Sequence, residues 1–128
     1  MITIFIPGEP PRTTAQQKGQ NRKTGQYYKP AELKDAEQKY MAYAAQARPE
    51  QPLDGPIRLS ALFVFDGHGR HKDGEWKITK PDTDNMIKAL KDALTRVGFW
   101  RDDAQVVCET TMKVWGSQPG VLMDVGEP

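Results

Sequence analysis

Two acidic pairs flank one predicted helix in the second half of the chain. Asp82 and Asp84 stand one residue apart where the helix begins, and Asp102 and Asp103 follow soon after it ends. Neighbouring carboxylates repel one another unless a positive charge lies between them. Carboxylate oxygens are also the ligands that Mg²⁺ prefers. The spacing therefore suggests a site for a hard cation, provided that the chain brings the two pairs together.

The segment between the two pairs is predicted to be an amphipathic helix that ends near Val97. Pro81 biases the backbone before it towards an extended conformation, and Gly98 is a natural stop after the last helical turn. Lys88 is four residues from both Asp84 and Asp92, so the three side chains share one exposed face. The predicted buried stripe consists of Met86, Leu90, Ala93, Leu94 and Val97.

Each of these features also has a purely structural explanation. Aspartates at a helix start cap free amides and complement the helix dipole. An Asp-Asp pair can form a turn, and charges four residues apart are common on solvated helix faces. If the pairs converge instead, bound Mg²⁺ would activate water for attack on a phosphodiester. Lys88 would then orient that water or neutralise charge on the phosphate.

Two other segments are rich in cations. Residues 10–31 carry five basic side chains and no acidic one, and they are predicted to form a loop or a short hairpin. Such a stretch suits either a solvated loop or an arm that contacts phosphates and stacks on bases. Residues 66–77 form a second loop, in which two histidines without a cysteine are a poor zinc site. The predicted DNA contacts are Arg12, Lys18, Arg22, Lys23, Tyr27, Lys29, Arg70, Lys72, Lys77 and Lys80.

The remaining elements predict one α/β or α+β domain, residues 1–128, with a small mixed β-sheet and two packed helices. The other predicted elements are strands at 2–6, 57–65 and 105–114, a helix at 31–47, and a strand at 121–125 that can return antiparallel after a turn. The order of the strands in the sheet is not readable from these patterns. Cys108 lies in an apolar, strand-like run, so we expect a buried and inert thiol.

Bulk composition is that of an ordinary globular protein. The 128 residues are 38% hydrophobic and 27% charged, and the net charge of +1 leaves the partner open. A single cysteine, the lack of a signal-peptide pattern and the lack of a long apolar run lead us to expect a cytoplasmic protein that does not enter a membrane. No motif for nucleotide binding, acyl transfer or zinc proteolysis is present.

The segment from Asp82 to Val107 closely resembles the RusA family of Holliday junction resolvases. The resemblance rests on DTDNMIKALKDAL and on GFWRDDAQVV, and it is looser elsewhere. It implies a homodimeric endodeoxyribonuclease of DNA recombination and repair that is bacterial or phage-encoded and binds four-way junctions by shape. Paired symmetric cuts with Mg²⁺ or Mn²⁺, and no small-molecule cofactor, are also implied.

Carried onto this sequence, the resemblance implies roles for individual residues. Asp82, Asp84 and Asp103 look like the metal ligands, and Lys88 looks like the catalytic lysine. Supporting roles are implied for Asn85, Asp92, Asp102 and Gln105, with Asp102 also a candidate ligand. Family members can carry arginines just before the first aspartate, where this chain has only Lys80 before Pro81. Two alternatives stay open: a Mg²⁺ nuclease that is less selective among branched DNAs, and a DNA-binding dimer without catalysis.

Overall fold

The computed structural model describes residues 1–12, the backbone of 19–20 and 27–28, and residues 31–128. Its elements are β1 (Ile2–Pro7), β2 (Gly19–Gln20), β3 (Tyr27–Tyr28), α1 (Ala31–Ala47), β4 (Ile57–Asp66), α2 (Thr83–Val97), β5 (Val106–Gly116) and β6 (Gly120–Gly126). β2 and β3 pair antiparallel, as a short hairpin. The predicted contacts Lys18, Arg22, Lys23 and Lys29, and the side chain of Tyr27, lie outside the described residues.

The four longer strands form one mixed sheet in the order β1-β6-β4-β5. β6 pairs antiparallel with β1 and with β4, whereas β4 and β5 run parallel. Parallel neighbours need a long crossover connection, and α2 lies within the connection between these two strands. The mixed sheet with two packed helices confirms the predicted α+β fold.

β6 returns antiparallel as predicted, but its partners are β4 and β1 rather than β5. β4 separates the two strands, and residues 117–119 connect them past its end. The reason lies in β4, which has the most continuous apolar face of the sheet. A strand that buries so many side chains gains from neighbours on both sides, and this favours an interior position. The buried residues are Ile57, Leu59, Ala61, Phe63 and Phe65.

Both helices contribute to a core on one face of the sheet. From α1 come Leu33, Tyr40 and Ala44, and from α2 come Met86, Ile87, Ala89, Leu90, Ala93 and Leu94. The predicted stripe is therefore correct for four residues, while Val97 is only partly buried. Neither helix that packs here has the length and apolar composition of a membrane-spanning segment.

The opposite face of the sheet carries a row of apolar side chains that crosses all four strands. Phe5 pairs with Leu122, which pairs with Leu62, which pairs with Met112. Phe5 and Leu122 remain 43% and 41% exposed. Leu62 and Met112 are half-buried, so this apolar row is partly open to solvent.

β5 is an edge strand, and its two halves have different surroundings. Segment 74–77 covers the second half, exchanging backbone hydrogen bonds with Lys113 and Trp115. Among the described residues, no segment forms backbone hydrogen bonds with the outer side of the first half. Cys108 lies there and is exposed, so the prediction of a buried thiol is wrong. An apolar run alone does not distinguish an edge strand from an interior one.

Candidate metal and DNA site

The first acidic pair lies at the exposed N-terminus of α2. Asp82 is the N-cap residue, yet its side chain makes no capping hydrogen bond. Within the described residues, Asp84 Oδ1 accepts a hydrogen bond only from the N–H of the next residue, Asn85, at 3.0 Å. A capping aspartate normally accepts from an amide two or three residues further on. Helix capping therefore does not account for Asp82, and most of the carboxylate oxygens here have no hydrogen-bond partner in residues 1–12 or 31–128.

A lysine from β5 holds the backbone that leads into this helix. Lys113 Nζ donates hydrogen bonds to the carbonyl oxygens of Thr79 at 2.6 Å and Pro81 at 2.8 Å. These carbonyls immediately precede Asp82, so their anchoring fixes where the acidic pair begins. This role was not readable from the sequence, where Lys113 has the pattern of an ordinary strand residue.

Lys77 anchors the same segment from the other side. Its ammonium donates to Thr79 Oγ1 at 2.6 Å and to the carbonyl of Lys80, and its Nζ lies 4.5 Å from the centroid of the Trp115 ring. The residue is only 3% exposed. Burial lowers the pKa of Lys77, and the nearby charges of Arg12 and Lys113 lower it further. Lys77 is thus a structural anchor and is not available to DNA in this structure, which contradicts its prediction as a contact.

The second acidic pair lies beyond the other end of α2. Asp102 caps the 3₁₀ turn that precedes β5, because its Oδ1 accepts from the N–H of Ala104 at 2.9 Å. Gln105 completes this capping box by accepting from the N–H of Asp102 at 3.1 Å. The side-chain nitrogen of Gln105, Nε2, also donates to the carbonyl of Leu53 at 2.9 Å. Both residues therefore support the local backbone.

Asp103 differs from Asp102 in that its carboxylate has no hydrogen bond or ion pair within the described part of the chain. It lies beside the second half of α2, where it lines a cavity together with Asp92, Thr95 and Arg96. Asp92 is eight residues beyond Asp84, which is about 12 Å along a helix. Among residues 1–12 and 31–128, no three acidic, histidine or cysteine side chains lie close enough to hold a metal ion. Asp82, Asp84 and Asp103 therefore do not form such a group within the described part of one chain.

Lys88 lies one turn into α2, between the two acidic groups. Its Nζ is 3.9 Å from Asp92 Oδ2, and its side chain is 65% exposed. Lys91, on the same helix, lies 2.9 Å from Glu109 Oε1 and is more buried. Lys88 is therefore held only loosely and remains accessible to a phosphate, whereas Lys91 ties the helix to β5.

The other predicted DNA contacts that the structure describes lie at the surface. Arg70, Lys72 and Lys80 are exposed. Arg12 is also exposed, and its Nη2 lies 2.9 Å from Glu9 Oε1. The carboxyl ends of β4 and β5 are surrounded by segments of the chain that contain, or lie next to, Arg12, Arg70 and Lys80. Sequence reasoning missed Trp115, whose ring faces this surface from the end of β5.

The fold and the site define an α+β protein whose crossover helix begins with uncapped carboxylates and carries an accessible lysine. The chain belongs to the endodeoxyribonuclease RusA family, whose sequence pattern matches residues 7–125. The resemblance noted from the sequence is thereby confirmed at the level of the family.

Individual relatives agree with this assignment. A Lactococcus phage r1t protein named crossover junction endodeoxyribonuclease rusA is 29% identical over 72 residues, 56% of this chain and 55% of that protein. An uncharacterised Bacillus subtilis protein, YqaN, is 30% identical over 109 residues, 77% of this chain and 76% of that protein. The Escherichia coli K12 crossover junction endodeoxyribonuclease RusA is 58% identical over 41 residues, 32% of this chain and 34% of that protein. The matched stretch thus spans about half of the phage relative's length and about a third of the Escherichia coli relative's.

Proposed function

We propose that this protein is a Mg²⁺-dependent endodeoxyribonuclease that resolves Holliday junctions by paired, symmetric cuts in DNA recombination and repair. The observation that carries the proposal is the exposed start of α2, where Asp82 has no capping role and Lys88 is accessible one turn away. The names of the phage and Escherichia coli relatives support four-way junctions as the substrate.

The donor chemistry of the site fits a hard divalent cation. Asp82, Asp84 and Asp103 supply carboxylate oxygens that the described chain does not use for other ion pairs, and Mg²⁺ or Mn²⁺ accepts such ligands. The metal, when bound, lowers the pKa of a water and polarises the scissile phosphate. Lys88 places its ammonium beside the phosphate and offsets the negative charge that develops there. Asp102 and Gln105 hold the turn that carries Asp103.

A second copy of the chain would complete the site. Because Asp103 lies beside the far half of α2 in its own chain, we propose that a two-fold homodimer brings Asp103 of one chain to Asp82 and Asp84 of its partner. A two-fold dimer carries two identical sites, as two matched cuts across a junction require. The apolar row on the open face of the sheet gives such a dimer an exposed surface to bury.

Cleavage of end-labelled DNA tests the proposed function. We expect a four-way junction to be cut in Mg²⁺ or Mn²⁺, no cutting in EDTA, and much slower cutting of a linear duplex of the same sequence. Equal rates on flaps, forks and four-way junctions would favour the less selective nuclease. Junction binding without cleavage under any divalent cation would favour the non-catalytic DNA-binding dimer.

Mixing two inactive variants tests the shared site. Asp84→Asn and Asp103→Asn remove ligands that, in the proposed dimer, belong to different chains at each site. A mixed dimer of the two variants therefore contains one site with both substitutions and one site with neither. We expect each variant alone to be inactive and the refolded mixture to nick junctions. A mixture as inactive as its components would contradict sharing of the site between chains.

A further inference from the structure

A cavity of about 450 Å³ lies at the carboxyl ends of β4 and β5. It is lined by Arg12, by Trp115, by Asp66 at the end of β4, and by the loop that follows β4, including His68, Arg70 and His71. Its volume is within the range of about 300–1,000 Å³ that is typical of small-ligand sites. Trp115 also contacts Lys77, which anchors the segment leading into α2, so the cavity adjoins the proposed cleavage site. The proposed cleavage chemistry assigns no role to it.

The cavity contains a preformed aromatic stack. The rings of His71 and Trp115 lie parallel, with an interplanar angle of 2° and centroids 4.2 Å apart. Trp115 is buried, whereas the His71 side chain remains 34% exposed and lines the cavity. A planar ligand that stacks on His71 would extend this arrangement by one layer.

The orientation of the His71 ring is fixed before any ligand arrives. His71 Nδ1 lies 2.6 Å from Glu75 Oε2, and this hydrogen bond lowers the pKa of the Glu75 carboxyl. Gly67 permits the loop backbone to pack closely against the base of this side chain, because a Cβ at that position would lie 3.2 Å from His71 Cβ. A ring held in this way loses little conformational entropy when a ligand stacks on it.

Two guanidinium groups line the same cavity. Arg12 Cζ lies 5.9 Å from the centroid of the Trp115 ring, and the Arg12 side chain is 48% exposed. Arg70 is exposed and forms no ion pair within the described part of the chain. Guanidinium groups bind phosphate oxygens through pairs of N–H donors. An aromatic platform beside such donors matches a base and its phosphate together, which is the combination used by proteins that bind single-stranded nucleic acid.

We propose that this cavity binds one unstacked nucleotide of branched DNA, with its base on His71 and its phosphate between Arg12 and Arg70. This inference rests on the proposed function for the source of the nucleotide. Stacking does not depend on base identity, because every base has a π-face. The cavity would hold a strand at the branch point, where bases leave the duplex, next to the site of cleavage.

Binding of single strands in EDTA tests the cavity separately from cleavage. Fluorescence anisotropy would compare a short labelled oligothymidylate with an abasic strand of the same number of phosphates. We expect the wild-type protein to bind the strand with bases about tenfold or more tightly. His71→Ala should remove this preference and His71→Phe should retain it. Lys72→Ala, a change in the same loop at an exposed side chain that does not line the cavity, should leave the ratio of the two affinities unchanged.

A wild-type measurement covers the case in which His71→Ala does not fold. Irradiation of a strand that contains 5-iodouracil should crosslink the base to the peptide carrying His71. Equal affinity of the wild-type protein for the two strands would overturn the inference, because only phosphates would then be bound. Crosslinking confined to other peptides would also overturn it. Junction cleavage without base preference would refute the cavity alone, and base preference without cleavage would refute the proposed function alone.

Discussion

Replacement of Lys88 by alanine should abolish most cleavage while leaving the fold intact. Lys88 forms only a loose pair with Asp92, at 3.9 Å, and both side chains are well exposed. Exposed pairs at this helical spacing contribute about 0.3–0.5 kcal/mol, and the higher helix propensity of alanine offsets part of the loss. We therefore expect the free energy of unfolding to fall by less than about 0.5 kcal/mol, or about 2 °C in Tm.

Lys91→Ala is the matched control on the same helix. Lys91 lies 2.9 Å from Glu109 Oε1, and both side chains are half-buried. The pair joins α2 to β5, so its loss should cost about 1 kcal/mol, which is the upper end for such pairs. Lys91 has no role in the proposed chemistry, and Lys91→Ala should cleave junctions at the wild-type rate. The two lysines thus separate an effect on activity from an effect on stability.

Single-turnover cleavage of a four-way junction, together with thermal unfolding, measures both effects. Loss of a cation beside a developing phosphate charge should slow Lys88→Ala by about 10²–10³-fold. The reasoning would be refuted if Lys88→Ala cleaved at the wild-type rate. It would also be refuted if Lys91→Ala slowed cleavage as much as Lys88→Ala, because any loss of positive charge on α2 would then suffice.

Asp84→Asn should abolish cleavage but not junction binding in a gel-shift assay, because phosphate contacts do not need this carboxylate; loss of binding by a folded variant would contradict this. Gly98→Ala should lower the free energy of unfolding by about 1 kcal/mol, since Gly98 has φ +89°, and an unchanged denaturation midpoint would refute it. Lys77 has a pKa below 10.5 in the folded state, so the unfolded chain holds this proton more tightly. Wild-type stability relative to Lys77→Met should therefore rise with pH in the alkaline range below 10.5, whereas a pH-independent difference in chemical denaturation would contradict the buried ammonium.

Local signals in the sequence predicted α2 well. The helix runs from Thr83 to Val97, and Gly98 ends it with a left-handed conformation. Its amphipathic stripe was also readable, because the helical period places each side chain relative to its neighbours in sequence. The acidic pair at the helix start and Lys88 are placed by the same local geometry.

Features that depend on distant pairing could not be predicted in this way. Strand periodicity assigns side chains to faces but does not say which strand lies beside which, so the partners of β6 and the exposure of Cys108 were not readable. The position of Asp103 was not readable either, because it depends on the crossover connection between β4 and β5. Lys113 and Trp115 looked like ordinary strand residues, because their partners belong to a loop that packs against the end of β5.

The position of β6 in the sheet has a consequence for how the chain folds. β6 follows every other described strand in sequence, yet it lies between β1 and β4, and it pairs Val125 with Ile2. During synthesis, β1 has no strand to pair with in this sheet until residues 120–126 have left the ribosome. Until then β4 also lacks β6, one of its two neighbouring strands. Closing so long a loop is entropically costly and slows folding. The nascent chain therefore completes its sheet only when residues 120–126 are free to pair, and until then the unpaired edges of β1 and β4 are open to chaperones and to other nascent chains.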